Sequence, residues 1–139
     1  MEPLMYKGYS FPRDRKYSEK HSWIKVIERD TVRVGITDYA QKKLKAVVFI
    51  EPPEVGVHLN AGDLLATLES IKVVSEVYAP LSGIVVTYNS KLDDDPGLLN
   101  RDPYGEGWIA ELKPDNPTDV EKLLSADEYA DRIVKKEES

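Results

Sequence analysis

Hydrophobic and polar residues alternate along the middle of the chain with the period of two that is typical of half-buried strands. Val32, Val34 and Ile36 alternate with polar or small residues, and a segment rich in β-forming residues, 23–28, precedes them. Only Arg29-Asp30 separates the two segments, and this arrangement predicts an antiparallel hairpin.

Further short extended segments follow, separated by proline, glycine and polar turn residues. Two of them, 64–70 and 73–79, have only Ile71-Lys72 between them, which predicts a second tight hairpin. Many short strands without long helices between them predict a β-rich barrel or sandwich with helical additions. The remaining predicted strands are 46–51, 57–59, 84–88 and 108–113.

Helix signals are confined to short segments. Thr37 can cap a helix that begins at Asp38. The segments 118–121 and 125–128 both fit the capping box, in which a hydroxyl and a carboxylate satisfy free amide groups reciprocally. We therefore expect two short helices at the C-terminus. The loop 89–107 contains most of the turn-forming residues, with one helical turn expected near Leu98.

The first residues differ in character from the rest. Segment 1–16 has little periodicity but carries aromatic residues, and it predicts either an arm that lies over the domain or a partly disordered leader. The expected organisation is an arm over 1–16, one domain over 17–136 and a short tail over 137–139.

Composition excludes several classes of function. The 139 residues suit one domain, and the absence of cysteine excludes disulfides, thiolate metal sites and cysteine nucleophiles. The net charge of −6 leaves no basic stripe for nucleic acid. Neither a signal peptide nor a membrane-spanning run is found. We expect a cytoplasmic protein that binds neither nucleic acid nor membranes.

Candidate catalytic residues are few. His21 and His58 are the only histidines, and neither has a second ligand at metal-site spacing. His21 could line a functional surface or be a packed or solvated ring, whereas His58 is interpreted as a surface ring. Three successive acids, 93–95, lack the alternation of a calcium loop and predict a solvated loop. No nucleophile motif or phosphate-binding loop is found, so no catalytic or metal site is predicted.

Lys72 is the most informative residue. It is the only lysine or arginine between Lys45 and Lys91, and it lies at the predicted hairpin tip. A lone amine at such a tip can be acylated by another enzyme, which removes its charge and turns the side chain into a tether. Two other interpretations stay open from spacing alone. Lys72 could be a solvated lysine that keeps the tip soluble, or it could form a helical i,i+3 pair with Glu69.

The residues around Lys72 resemble the lipoyl-lysine hairpin of the glycine cleavage system H proteins, in segments 69–72 and 75–80. Other motifs of that family follow in order over roughly 16–136. They include His21 with Trp23, segment 34–41, Ala61-Gly62-Asp63 and Gly107-Trp108. An ordered set of motifs is far more specific than one motif, so the chain is identified as similar to this family.

The resemblance implies a mainly β, lipoyl/biotinyl-type hybrid barrel-sandwich with short helices, two of them at the C-terminus. It implies a carrier that is not itself an enzyme, with lipoate joined to Lys72 by an amide. Glu69, Ser70, Ile71 and Val73 would form the hairpin presented to a lipoate ligase or lipoyl-transfer enzyme. A chain without cysteine fits this role, because the redox sulfurs belong to the cofactor.

The resemblance also implies partners. Glycine decarboxylase (P protein) would load an aminomethyl group onto the lipoyl arm, and the aminomethyltransferase (T protein) would unload it. Dihydrolipoyl dehydrogenase (L protein) would then reoxidise the arm. His21 would belong to the surface that lines the arm.

Four departures from the family pattern concern the surroundings of the arm. Ser22 stands where the family usually has glutamate, Lys45-Ala46 replace glycine and an acid, and Val73 replaces a common alanine. The aromatic segment 1–16 is the fourth. Ser22 and that segment leave open a second function, an H-like lipoate-binding protein serving heterodisulfide-reductase-like sulfur oxidation. A biotin carrier, which favours methionines beside the lysine, and a structural module with unmodified Lys72 are further alternatives.

Overall fold

The computed structural model describes all 139 residues and contains eleven strands in three sheets. The strands are β1 Leu4–Tyr6, β2 Tyr9–Phe11, β3 Lys16–Tyr17, β4 Ser22–Glu28, β5 Thr31–Ile36, β6 Val47–Glu51, β7 His58–Leu59, β8 Leu64–Ser70, β9 Val74–Tyr78, β10 Gly83–Tyr88 and β11 Ala110–Pro114. The α-helices are α1 Asp38–Leu44, α2 Lys91–Asp94, α3 Leu98–Arg101, α4 Ala126–Tyr129 and α5 Lys135–Glu138. A 3₁₀-helix, Pro117–Lys122, and a π-helical segment, Ala130–Val134, complete the list.

Two sheets enclose the main core. A six-stranded sheet has the order β3-β4-β5-β11-β10-β7, and a three-stranded sheet has the order β6-β8-β9. Buried residues of both sheets belong to one cluster of 19 side chains, including Val34 and Leu112 from the larger sheet and Leu68 and Val77 from the smaller. The mainly β sandwich predicted from the sequence is confirmed.

The predicted hairpin over 23–36 is present as β4 and β5. The strands pair antiparallel, with Ile24 opposite Val34, and Arg29-Asp30 form the two-residue connection. Gly35 lies directly opposite Trp23, and a Cβ on Gly35 would come within 2.6 Å of the Trp23 indole. Glycine is therefore required here for the indole to lie flat against the neighbouring strand.

The N-terminal segment contains a hairpin that the sequence analysis did not predict. Strands β1 and β2 pair as a separate two-stranded sheet around a turn at Lys7-Gly8, where both residues have positive φ angles of 47° and 85°. This backbone suits the tight turns that join two antiparallel strands. Phe11 is fully buried in a second cluster of eight residues, against the rings of Tyr17 and Tyr129.

The helical caps agree with the sequence in two of three cases. The Thr37 hydroxyl accepts a hydrogen bond from the Ala40 amide, and Ser125 and Glu128 form the reciprocal capping box. The prediction at Thr118 was wrong, because Asn116 caps the 3₁₀-helix and its side chain accepts from the Thr118 amide. The two expected C-terminal helices are a 3₁₀-helix and a longer helical segment, 126–138.

The structure contains more helix near the C-terminus and in the loop 89–107 than the sequence predicted. Helix α5 crosses the boundary expected at 136 and runs through Glu138. The loop 89–107 contains two helical turns, α2 and α3, where one was expected.

None of the helices has the length and apolar character needed to cross a membrane.

Candidate functional site

Lys72 lies at the tip of the hairpin formed by β8 and β9. Glu69 pairs with Val74 across the ladder, so the interpretation of Glu69 and Lys72 as a helical pair was wrong. Ile71 and Lys72 connect Ser70 to Val73, as the sequence predicted, although strand β9 itself begins at Val74. Lys72 is exposed, and its ammonium takes part in none of the ion pairs of the structure.

The Ser70 hydroxyl organises this turn. The Ser70 amide donates to the Val73 carbonyl at 2.8 Å, which closes one side of the turn. On the other side, the Ser70 Oγ accepts from the amides of Lys72 at 3.2 Å and Val73 at 3.1 Å. Serine side chains often replace backbone acceptors in turns in this way. The backbone on either side of Lys72 is therefore held without an Asn-Gly or Asp-Gly sequence.

The base of the hairpin belongs to the core. Leu65, Leu68 and Val77 are at most 5% exposed, and β8 is also paired with β6 on its other edge. The Ile71 amide donates to the Ala46 carbonyl at 3.1 Å, which ties the tip to the residue before β6. The fold thus holds the hairpin rigidly at its base and leaves the tip in solvent.

Apolar side chains surround the tip on the outside. Ile71 is 69% exposed and Val73 is 51% exposed, and Val74 and Phe49 nearby are also more than half exposed. Exposed apolar residues grouped in this way mark surfaces that contact other proteins. The only basic group among them is the Lys72 ammonium.

A pocket of about 180 Å³ lies against the inner side of the hairpin. Leu68 and Val77 contribute one wall, and α1 contributes the opposite wall through Tyr39. His21 and Glu137 also line this pocket. The structure therefore places His21 in a pocket shared with the Lys72 hairpin, but on the body of the protein and not at the tip.

Hydrogen bonds fix the ring of His21. Its Nε2 lies 2.9 Å from a Glu137 carboxylate oxygen, and its Nδ1 lies 2.7 Å from the Tyr129 hydroxyl. Because a carboxylate only accepts, Nε2 carries the proton, and in the neutral ring Nδ1 accepts from Tyr129. Burial lowers the pKa of His21 below its ordinary value, and the Glu137 carboxylate offsets only part of this effect. The neutral ring is thus the form that this site favours.

Glu137 is a site residue that the sequence analysis missed. It lies 116 positions from His21 and was assigned to the tail, so no local pattern connects the two. Its other carboxylate oxygen accepts from the Tyr39 hydroxyl at 3.2 Å. The capping box at Ser125 was the one available signal, because it starts the helical segment that brings Glu137 to this position.

Ser22, one of the departures that left a second function open, is buried. Its side chain is enclosed, with only 1% of the residue exposed, and its hydroxyl lies 2.7 Å from the Ser18 hydroxyl. The two serine hydroxyls therefore form a hydrogen bond with each other. Ser22 thus presents no polar group to the pocket beside the hairpin.

The remaining candidates lie elsewhere. The exposed His58 ring pairs with Asp115 at 2.7 Å. Asp93 accepts from the Tyr88 hydroxyl and Asp95 pairs with Arg101, so these acids have protein partners. No group of three or more histidine, aspartate or glutamate side chains converges on a point that could hold a metal ion.

Comparison with known proteins gives one consistent result. The family model described as Glycine cleavage H-protein matches residues 15–137. A glycine cleavage system H protein of Acinetobacter baumannii is 51% identical over 118 residues, covering 85% of this chain and 94% of its own. Glycine cleavage system H protein 4 of Aquifex aeolicus is 45% identical over 133 residues, covering 96% of this chain and 77% of its own.

A solved structure agrees. The glycine cleavage system H protein of Mycobacterium marinum superposes with a TM-score of 0.79 and 41% identity, covering 88% of this chain and 98% of that one. These matches favour glycine cleavage over the sulfur-oxidation alternative. The chain belongs to the family of glycine cleavage system H proteins, the carriers of covalently attached lipoate in glycine cleavage.

Proposed function

We propose that Lys72 is the residue that carries lipoate and that the chain acts as a carrier without catalytic activity of its own. The observation that carries this proposal is an exposed lysine without an ion-pair partner, at the tip of a hairpin whose base is buried. An amine in this position is open to acylation at Nζ, which forms an amide and removes the positive charge. The Lys72 amine can therefore form an amide with the carboxyl group of lipoate.

The residues beside Lys72 support its presentation to a lipoate ligase or lipoyl-transfer enzyme. Ser70 holds the backbone of the turn, while Ile71 and Val73 offer exposed apolar contacts on either side. Glu69 lies in β8 opposite Val74 and continues the hairpin toward the core. We assign these residues to recognition of the hairpin before lipoate is attached.

His21 is proposed to line the surface against which the arm rests. The pocket that contains it also contains Leu68 and Val77 of the hairpin, so it lies within the same structural unit as Lys72. The bound lipoyl group would supply the dithiol–disulfide chemistry that a cysteine-free chain lacks. The neutral His21 ring and the Glu137 carboxylate would give the arm polar groups in this lining.

The partners proposed for the carrier are glycine decarboxylase, the aminomethyltransferase and dihydrolipoyl dehydrogenase, together with the enzyme that attaches lipoate. Family membership supports this set. A tethered arm raises the effective concentration of its cargo at each partner without requiring new contacts. The carrier domain over 17–136, the arm over 1–16, the tail over 137–139 and the cytoplasmic location stay predictions.

The test is attachment of lipoate to the full chain. The protein is incubated with lipoate, ATP and a lipoate–protein ligase, and its intact mass and peptide map are measured. We expect one lipoyl increment on the peptide that contains Lys72, and none in Lys72→Arg. The matched control Lys113→Arg, at an exposed lysine in β11, should still gain the increment.

An increment on another lysine, or none with a ligase that modifies a control carrier, would contradict the proposed site. Carrier activity is then tested with glycine decarboxylase and the aminomethyltransferase. The lipoylated chain should support glycine cleavage only when those enzymes are present. Turnover of glycine by the chain alone would overturn the assignment as a non-catalytic component.

A further inference from the structure

A large open cleft on the molecule has a charge opposite to that of the chain as a whole. It has a volume of about 950 Å³ and lies between the N-terminal hairpin, α1 and α3. Its lining contains five cations and no carboxylate, whereas the chain carries a net charge of −6. We call it the basic cleft, defined by Lys7, Lys42, Lys43, Lys45 and Arg101.

Two of these five cations have no ion-pair partner within the protein. Lys42 pairs with Asp38, Lys43 with Glu138 and Arg101 with Asp95. Lys7 and Lys45 form no salt bridge, so their positive charges remain available to an external anion.

The backbone at Lys45 adds an independent observation. Lys45 ends α1 with φ 69° and ψ −158°, a conformation populated almost only by glycine. A side chain is therefore kept at this position at a cost in stability, and that side chain is a cation facing the cleft.

The basic cleft adjoins the Lys72 hairpin. Ala46 and Val47 form its edge, and these two residues also contact the tip of the hairpin. The Ala46 carbonyl accepts from the Ile71 amide at 3.1 Å, and Val47 pairs with Ser70 across the ladder. A molecule seated in the cleft would therefore lie beside the attachment point of the arm.

The N-terminal hairpin forms one wall. Lys7 and Tyr9 line the cleft, and both precede residue 15, where the match to the family begins. The Lys42 ammonium donates to the Gly8 carbonyl at 2.8 Å, which fixes this wall against α1. The wall thus adds one unpaired cation to a surface that adjoins the hairpin.

We propose that the basic cleft is the docking surface for an acidic face of an enzyme that acts on the lipoyl arm. The cleft is open and most of its lining residues have charged or amide side chains, unlike the concave and largely apolar pockets that hold small molecules. Opposite charges on two protein surfaces speed association and fix their relative orientation. This inference rests on the proposed function for the identity of the partner, but not for the binding of acidic peptide.

Binding is tested first on the unmodified full chain, with decaglutamate as the acidic probe and amide chemical shifts as the readout. At low salt we expect shifts confined to residues 7–9, 41–47 and 97–101. They should disappear at about 0.5 M salt, where surface charges are screened within about 4 Å. Shifts that are absent, or spread over all exposed lysines, would overturn the proposal.

Matched variants locate the effect. The pair Lys7→Gln with Lys45→Gln should abolish the shifts, while Lys113→Gln with Lys136→Gln, which removes the same charge elsewhere, should retain them. Lys45→Gly separates charge from folding, because it should raise the melting temperature and still weaken peptide binding several-fold. Equal binding by Lys45→Gly and the unaltered chain would exclude a role for this cation.

The partner is tested with the lipoylated chain. The Lys7→Gln, Lys45→Gln pair should raise KM about tenfold at low salt for at least one of the three proposed enzymes, with kcat unchanged. An unchanged KM with all three would overturn the assignment of the partner. A single-stranded oligonucleotide that binds the same residues more tightly than decaglutamate would replace it with nucleic acid. Failure of lipoylation at Lys72 would contradict the proposed function alone, since the peptide titration does not require lipoate.

Discussion

The chain contains two hairpins that are anchored in different ways: the short β1–β2 hairpin at the N-terminus and the longer β8–β9 hairpin, which has Lys72 at its tip. The N-terminal hairpin forms its own two-stranded sheet and is attached through side chains, chiefly buried Phe11 and the Tyr9 hydroxyl bonded to Glu138. The β8–β9 hairpin is attached through its backbone, which pairs with β6, and through buried side chains near its base.

The difference shows that the way a hairpin is anchored decides how much of it stays exposed to solvent. A hairpin that is anchored at its base can leave the side chain at its tip exposed, as β8–β9 does with Lys72. A hairpin anchored along its length loses that freedom but covers the surface beneath it, as β1–β2 covers α1. Substitutions at the two sites should therefore have opposite consequences for folding and for function.

The largest expected effect concerns function alone. Lys72→Ala should abolish lipoylation and all carrier activity, because no other lysine or arginine lies on the hairpin. The free energy of unfolding should change by less than about 0.5 kcal/mol, because the Lys72 side chain is exposed and forms no ion pair within the protein. Intact mass and thermal unfolding measure the two quantities. A marked loss of stability would show that the tip packs against the body.

The next effect is on stability alone. Phe11→Ala removes a fully buried ring and should lower the free energy of unfolding by about 3–5 kcal/mol. Met5→Ala, on the same hairpin but 59% exposed, is the matched control and should cost less than about 1 kcal/mol. Both variants should still accept lipoate at Lys72. Loss of lipoylation in Phe11→Ala while it remains folded would show that the two hairpins are coupled.

A smaller effect is expected at the turn itself. Ser70→Ala removes the acceptor for the Lys72 and Val73 amides and should cost about 1 kcal/mol. Hydrogen exchange at those two amides should accelerate, and lipoylation should slow. Ser70→Thr retains the hydroxyl and serves as the control. Unchanged exchange in Ser70→Ala would mean that the backbone alone holds the turn.

The smallest effect is a pH dependence at His21, which lines a pocket with residues of the β8–β9 hairpin. Burial lowers its pKa in the folded state below the ordinary value of 6.5, so the unfolded chain binds more protons just below that pH. The contribution of His21 to stability is therefore complete above 6.5 and is lost as pH falls through the folded pKa. Denaturant unfolding across this range should show a weaker pH dependence in His21→Gln.

Local sequence patterns predicted the parts of the fold that depend on near neighbours. The β4–β5 hairpin follows from alternation around Val34, and the Lys72 hairpin follows from two extended segments with two residues between them. The helix starts at Thr37 and Ser125 follow from the chemistry of the cap. Each of these signals lies within one short continuous stretch of the chain, the longest being 64–79.

Features that depend on distant contacts were not predicted. Strands β1 and β2 have three residues each, too few to establish a period, and they are ordered by rings such as Tyr129 that lie more than 100 positions away. Glu137 meets His21 only because the C-terminal helical segment folds back across the sheet. The basic cleft likewise combines Lys7 with Lys45, and neither position indicates the other in sequence.

The isolation of Lys72 from the rest of the fold has a consequence for the cell. Attachment of lipoate would make the chain one unit more negative and would leave every hydrogen bond and buried contact described above unchanged. Chaperones and proteases, which recognise unfolded segments, would therefore treat the empty and the loaded carrier alike. A pool of unlipoylated chain could persist at full abundance, so the supply of active carrier would be set by the attachment enzyme and not by turnover of the protein.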